Sequence, residues 1–112
     1  MEAAKKILSL FGMGTDPETV SRAHQWIEEG ATLLDVRTPG EFGQGHIRGA
    51  QNVPVQVLPD RIADVPGDRV VVYCRSGGRS ASATKMLERH GKQVVDLGPM
   101  SAWGRDEDIV AV

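Results

Sequence analysis

The 112-residue chain has one cysteine, Cys74, and it opens the run Cys74-Arg75-Ser76-Gly77-Gly78-Arg79-Ser80. Val70-Val71-Val72-Tyr73 reads as a strand leading into this run, and Ser80–His90 reads as a helix leaving it. The thiol is thereby set at the end of a strand and the start of a helix. Unsatisfied N–H groups and partial positive charge collect there. Gly77 and Gly78 let the backbone curl, so that successive N–H groups converge as an anion-binding nest. Arg75 and Arg79 add fixed charge. Cysteines in such settings titrate at roughly 3.5–7.5 instead of ~8.5. The same field attracts a small dianion.

The local charge agrees. Residues 69–92 hold six basic groups against one acid, Glu88, in a chain whose formal net charge is −2. A cysteine that only ends a buried strand would be unremarkable. Packing alone, however, needs neither two flanking arginines nor a Gly-Gly turn. The residues therefore point to a reactive thiolate and nucleophilic chemistry.

Composition narrows the alternatives. Hydrophobic residues make up 40% and charged residues 25%, as in one ordinary globular domain. The slightly acidic balance argues against nonspecific nucleic-acid binding by the whole molecule. A single cysteine forms no internal disulfide or Cys-x-x-Cys metal site, and it suits a reducing compartment, hence a cytoplasmic location. His24, His46 and His90 show no metal-ligand spacing. No stretch approaches the ~20 apolar residues of a membrane span.

The elements that must position Cys74 alternate strand with helix. Asp16-Pro17-Glu18 starts a helix whose Val20, Ala23, Trp26 and Ile27 share a face, with Gly30 ending it. Thr32–Val36 reads as a buried strand, and residues 37–52 as a long structured loop. A short edge strand at Asn52–Val55, a short helix at Leu58–Val65, a strand at Gln93–Leu97 broken by Gly98-Pro99, and a helical turn at Met100–Trp103 complete the set. The expected architecture is α/β: a parallel sheet flanked by helices on both faces, with ligands bound beyond the C-terminal strand ends. Residues 15–112 form that domain. Residues 1–14 form an extension, with Glu2–Phe11 as a short amphipathic helix. Lys5-Lys6 and the apolar run after them give a faint signal-peptide pattern that lacks a cleavage site. Asp106-Glu107-Asp108 reads as a solvated tail.

At this point the sequence resembles a known family. Cys74, four residues, then Arg79 and a helix is similar to the active-site loop of the rhodaneses, the thiosulfate sulfurtransferases. Upstream, Asp35-Val36-Arg37-Thr38-Pro39-Gly40-Glu41-Phe42, Gly45-His46-Ile47-Arg48-Gly49-Ala50 and Asn52-Val53-Pro54 match the family's second signature. The likeness covers about residues 16–104 and is to single-domain rhodaneses. Phosphatases of this fold carry one more residue between Cys and Arg. Gly98-Pro99 stands where the family often has Gly-Gly, and Trp103 matches its usual aromatic. The family's usual first strand, before the helix at 16–29, is not evident.

The resemblance implies sulfur transfer from thiosulfate, or another sulfane-sulfur donor, through a Cys74 persulfide. The acceptor would be cyanide or a thiol, including a sulfur-carrier protein. Residues 75–79 would bind substrate and persulfide, with no metal and no cofactor. The alternative is a persulfide carrier or interaction module loaded by a partner protein. Asp35 and Arg37 would support the site, or form an ion pair that ties down the long loop. Glu41 and Arg48 read as further loop ties, and His46 as a hydrogen-bonded loop residue.

Overall fold

The computed structural model describes residues 15–112; the extension and the helix expected at Glu2–Phe11 lie outside them. Helix α1 spans Pro17–Glu28. Asp16 caps it, accepting the N–H groups of Glu18 and Thr19 at 2.9 and 3.1 Å, and Pro17 occupies the first turn, where its missing N–H costs nothing. Strands β1 (Thr32–Asp35), β3 (Gln51–Asn52), β4 (Arg69–Cys74) and β5 (Gln93–Pro99) form a parallel sheet in the order β3-β1-β4-β5. Strands β2 (His46–Ile47) and β6 (Ile109–Val110) make a separate antiparallel pair.

The run Val70-Val71-Val72 is buried on both sides, as a central parallel strand requires. Val70, Val72 and Cys74 face one way, packing with Leu34, Val36 and Val53 beneath helix α4 (Gly78–Arg89) through Ala83 and Leu87. Helix α3 (Leu58–Arg61), continued by a 3-10 turn at Ile62–Asp64, closes the same side through Leu58 and Ile62. Val71 and Tyr73 face the other way, with Leu33, Val95 and Leu97, against Ala23 of α1 and Trp103. The sheet is thus covered on both faces, and both cores hold β4 in place under its terminal cysteine.

Four expectations are corrected. Residues 37–52 are not a loop throughout: Pro39–Gln44 form helix α2, followed by β2 and β3. The glycines at 40, 43 and 45 lower helix propensity, but a capping box overrides them. Thr38 Oγ1 accepts the Glu41 N–H at 3.1 Å, and Glu41 accepts the Thr38 N–H at 3.0 Å. Helix α4 starts at Gly78 rather than Ser80, because Gly77 turns the chain at φ +109°.

Strand β5 runs through Gly98 to Pro99 and places Pro99 opposite Cys74. Gly98 sits at φ +79°, where its missing Cβ also avoids Thr15, and the register shifts beside it. Among the described residues β5 is an edge strand, where proline is tolerated.

Asp106–Asp108 is a 3-10 turn and not a tail. The Asp108 carboxylate accepts the Trp103 indole N–H at 2.8 Å, and its carbonyl accepts the Arg48 N–H at 2.7 Å. Strand β6 then pairs with β2, clamping the C-terminus over α2. Among the described residues no helix is long and apolar enough to cross a membrane.

Candidate active site

Cys74 ends β4 at the C-terminal edge of the sheet, with Ser76 and Gly77 turning the chain into α4. The residue is fully buried. The Gly77 N–H donates to its Sγ at 2.9 Å. Gly77 supplies no side chain to cap α4, so the helix's first N–H groups remain available to the sulfur. Burial is the largest influence on the thiol and pushes its pKa up. The Ser80 hydroxyl and the N–H groups of Ser80, Gly77 and Ser76 together outweigh it and hold the thiol below its ordinary range.

Arg79 does not stand free beside the sulfur. Its guanidinium makes a two-pronged ion pair with Glu41 of α2, Nη1–Oε1 at 2.7 Å and Nη2–Oε2 at 3.0 Å. The pair holds the Glu41 carboxyl at about 2. It joins the first turn of α4 to α2 across 38 residues of sequence. Arg75, in contrast, is exposed. With Arg37, Glu41, Gln44, Gly45 and Met100 it lines an open cleft of about 370 Å³. Asp35 neutralises Arg37 and Glu41 neutralises Arg79, so Arg75 is the lining charge that no ion pair among the described residues compensates.

Asp35 and Arg37 form a buried ion pair at the wall of this cleft. Arg37 Nη2 donates to Asp35 Oδ2 at 2.7 Å and to the Gly45 carbonyl at 2.6 Å, and Nε reaches both Asp35 oxygens. The guanidinium also lies 5.6 Å from the Tyr73 ring centre. Asn52 Nδ2 ties the carbonyls of Asp35 and Arg37 to β3. The Tyr73 hydroxyl accepts the Ile47 N–H at 3.1 Å. Burial, then Asp35, pushes its pKa well above the ordinary phenol range. This network, through the ion pair, holds the long segment against β3 and Gly45.

His46 is tied down too: Nδ1 lies 2.8 Å from the Phe42 carbonyl, and the ring stacks on Phe42 at 3.6 Å. Arg48 does not pair with Glu41; its guanidinium reaches the Glu107 carbonyl at 3.5 Å.

The structure thus brings donors of Ser76, Gly77 and Ser80 to the Cys74 sulfur, opens α4 at Gly78, pairs Arg79 with Glu41 and Asp35 with Arg37, and sets Arg75 in the cleft that Arg37 also lines. Two residues near the thiol are missed by the sequence reading. Ser80 reads there only as a helix start, although it follows Arg79 directly. Glu41 reads as a loop tie, although the Thr38-x-x-Glu41 capping pattern already fixes its position.

The family model for the rhodanese-like domain matches residues 19–106. The chain belongs to this family. A sulfurtransferase of Allochromatium vinosum is 44% identical to it over 80 residues, spanning 69% of this chain and 75% of that protein. The chloroplastic thiosulfate sulfurtransferase 16 of Arabidopsis thaliana is 39% identical over 103 residues, 79% of this chain and 86% of that one. Among solved structures, a rhodanese with anions from E. coli superposes with a TM-score of 0.65 at 31% identity. It covers 74% of this chain and 100% of its own. The rhodanese fold is therefore the right frame for the Cys74 loop, and both of these curated relatives are named as sulfurtransferases.

Proposed function

We propose that this rhodanese domain moves the sulfane sulfur of thiosulfate, through a persulfide on Cys74, to cyanide or a thiol. The observation that carries the reading is the buried Cys74 sulfur, which accepts the Gly77 N–H at 2.9 Å and is held below its ordinary titration range by the Ser80 hydroxyl and the N–H groups of Ser80, Gly77 and Ser76. The thiolate attacks the outer sulfur of thiosulfate. A Cys74–sulfur bond forms, the thiosulfate S–S bond breaks, and sulfite leaves with the electron pair. The loop N–H groups of residues 75–79 stabilise the charge that arrives on the persulfide. An acceptor then attacks the outer sulfur and regenerates the thiolate.

Arg75 meets the dianion, while Arg79, held by Glu41, fixes the loop. The four-residue spacing suits a ring of donors closed tightly around sulfur. With a single cysteine in the chain, the acceptor comes from outside. A lone reactive thiol suits the reducing cytoplasm.

The test is the intact mass of the protein with thiosulfate, before and after cyanide. The expected result is gain of one sulfur atom, then its loss with thiocyanate formed, and neither step in Cys74→Ser. No gain from thiosulfate, but gain from a protein persulfide, would replace this reading with that of a carrier loaded by a partner. Gain in Cys74→Ser would overturn both.

A further inference from the structure

Arg37 is only 5% exposed, and a guanidinium carries five N–H groups in a planar fork. Nε–H goes to Asp35, and Nη2 gives its two protons to Asp35 Oδ2 and the Gly45 carbonyl. Nη1 has no partner among the described residues. No buried side-chain nitrogen there lacks one, so Nη1 reaches solvent. The opening it reaches is the cleft that Arg37 lines. Its two N–H groups are held rigidly, because the rest of the same fork is bonded to Asp35 and Gly45.

The cleft begins beside the sulfur. Pro99 lies opposite Cys74 across β4 and β5. The next residue on each chain, Met100 and Arg75, lines the cleft, one Cα step of about 3.8 Å further on. Its volume of about 370 Å³ falls among small-molecule sites, which run from roughly 300 to 1,000 Å³. That is room for about a dozen waters at ~30 Å³ each, far more than thiosulfate or cyanide fills. The wall varies in chemistry. Met100 is half-buried and apolar, and Gln44 offers an exposed amide. Glu41 is also in the wall, but Arg79 takes both its oxygens. A ligand therefore meets a rigid donor pair at Arg37, an exposed positive charge at Arg75 and an apolar side chain at Met100.

We infer that Arg37 Nη1 and Arg75 form an oxyanion site for the carboxylate of a small organic thiol, the sulfur acceptor, whose carbon chain lies on Met100 and whose sulfur meets Cys74. The Asp35 pair does not spend Nη1, and Arg75 supplies the attracting charge. Thiosulfate and acceptor use Arg75 in turn, as a ping-pong order allows.

The transfer step rests on the function proposed above. The thiol sulfur gives an electron pair to the outer sulfur of the Cys74 persulfide. A new S–S bond forms, the bond to Sγ breaks, and its electron pair stays on Sγ as thiolate. The thiol's proton ends on the transferred sulfur. No oxidant or reductant enters, and the product is an organic persulfide.

Binding is tested without sulfur chemistry. Butanoate, which has the carboxylate and no thiol, is titrated into the unloaded protein beside butanamide. The Arg37 guanidinium signals and the Gly45 and Met100 amide signals in NMR should move saturably with butanoate, and about tenfold more weakly with butanamide. Arg37→Lys keeps a cation for Asp35 but lacks Nη1. It and Arg75→Ala should each weaken butanoate binding about tenfold. Arg48→Ala removes a positive charge outside the cleft and should leave binding in place. An Arg37 guanidinium indifferent to saturating butanoate would overturn the site, even should Arg37→Lys fail to fold. Equal binding of the amide, or a loss in Arg48→Ala as large as in Arg75→Ala, would overturn it too.

The second arm is single-turnover discharge of the persulfide by mercaptopropionate and by its methyl ester. Comparing the ratio of their rates between proteins cancels their intrinsic reactivities. The acid should lose about tenfold against the ester in Arg37→Lys and in Arg75→Ala. An unchanged ratio in either would overturn the acceptor role. If thiosulfate loads no persulfide, the function proposed above fails, while the butanoate titration still decides the site.

Discussion

Two segments meet at the C-terminal edge of the sheet, and they are held in opposite ways. The segment after β1 is fixed by side chains: the Asp35–Arg37 pair, the Asn52 amide, and the Thr38–Glu41 capping box. Its buried polar groups are satisfied within the protein, and among the described residues no buried side-chain nitrogen or oxygen lacks a partner. The loop after β4 is fixed by backbone curvature at Gly77, without a side-chain cap, so its N–H groups point at a sulfur. One segment's buried donors are spent on fixed oxygen acceptors of the scaffold; the other's are turned on a thiol. Among the described residues the Glu41–Arg79 pair is the ion pair that links them. It turns an arginine of the chemical loop into part of the scaffold.

The sharpest break of this contrast is Cys74→Ser. Thiosulfate–cyanide turnover should vanish while the thermal melt stays close to wild type. Retained turnover would show that the loop's donors serve something other than this sulfur.

Next in size is Asp35→Ala, which strands the buried Arg37. A loss of about 3–5 kcal/mol in denaturant unfolding is expected, because the Gly45 carbonyl and the Tyr73 ring that remain beside Arg37 carry no negative charge to replace the carboxylate. A loss below about 1 kcal/mol would mean that water replaces Asp35 beside Arg37 and that the pair does not tie the segment down.

Arg75→Ala removes the uncompensated charge at the rim. The KM for thiosulfate should rise about tenfold, as expected for one charge-assisted contact, with kcat little changed. An unchanged KM would deny Arg75 its role in meeting the dianion.

The smallest effect is expected of Glu41→Gln. The pair is partly exposed, so its worth in stability is about 1 kcal/mol or less. Its pH dependence has a definite sign. The folded carboxyl sits at about 2 against an ordinary 4.5. The pair's contribution is therefore complete above about 4.5 and drains away as pH falls towards 2. Urea midpoints of wild type and variant should differ at neutral pH and converge on acidification. A gap that widens in acid would reverse the assignment.

Much of this was legible in the residues. The capped start of α1, the Val-rich β4, and the thiol set between a strand and a Gly-Gly turn all follow from local rules. Each depends on neighbours within a few positions. Even helix α2 was readable from Thr38-Pro39 and Glu41, had the glycines between and after them not suggested a loop.

What only the tertiary structure decided involves residues far apart in sequence. Arg79 meets Glu41 because parallel strands bring the loops after β1 and β4 to one edge. Asp108 leaves its acidic run because the indole of the buried Trp103 needs an acceptor. Strand β5 runs on through Gly98 to Pro99 because pairing with β4 outlasts the local signal to break. Local chemistry in the sequence set Cys74 between the end of a strand and the start of a helix. Long-range packing decided which charges remain to act with it, because an ion pair forms only where the fold brings its partners within reach.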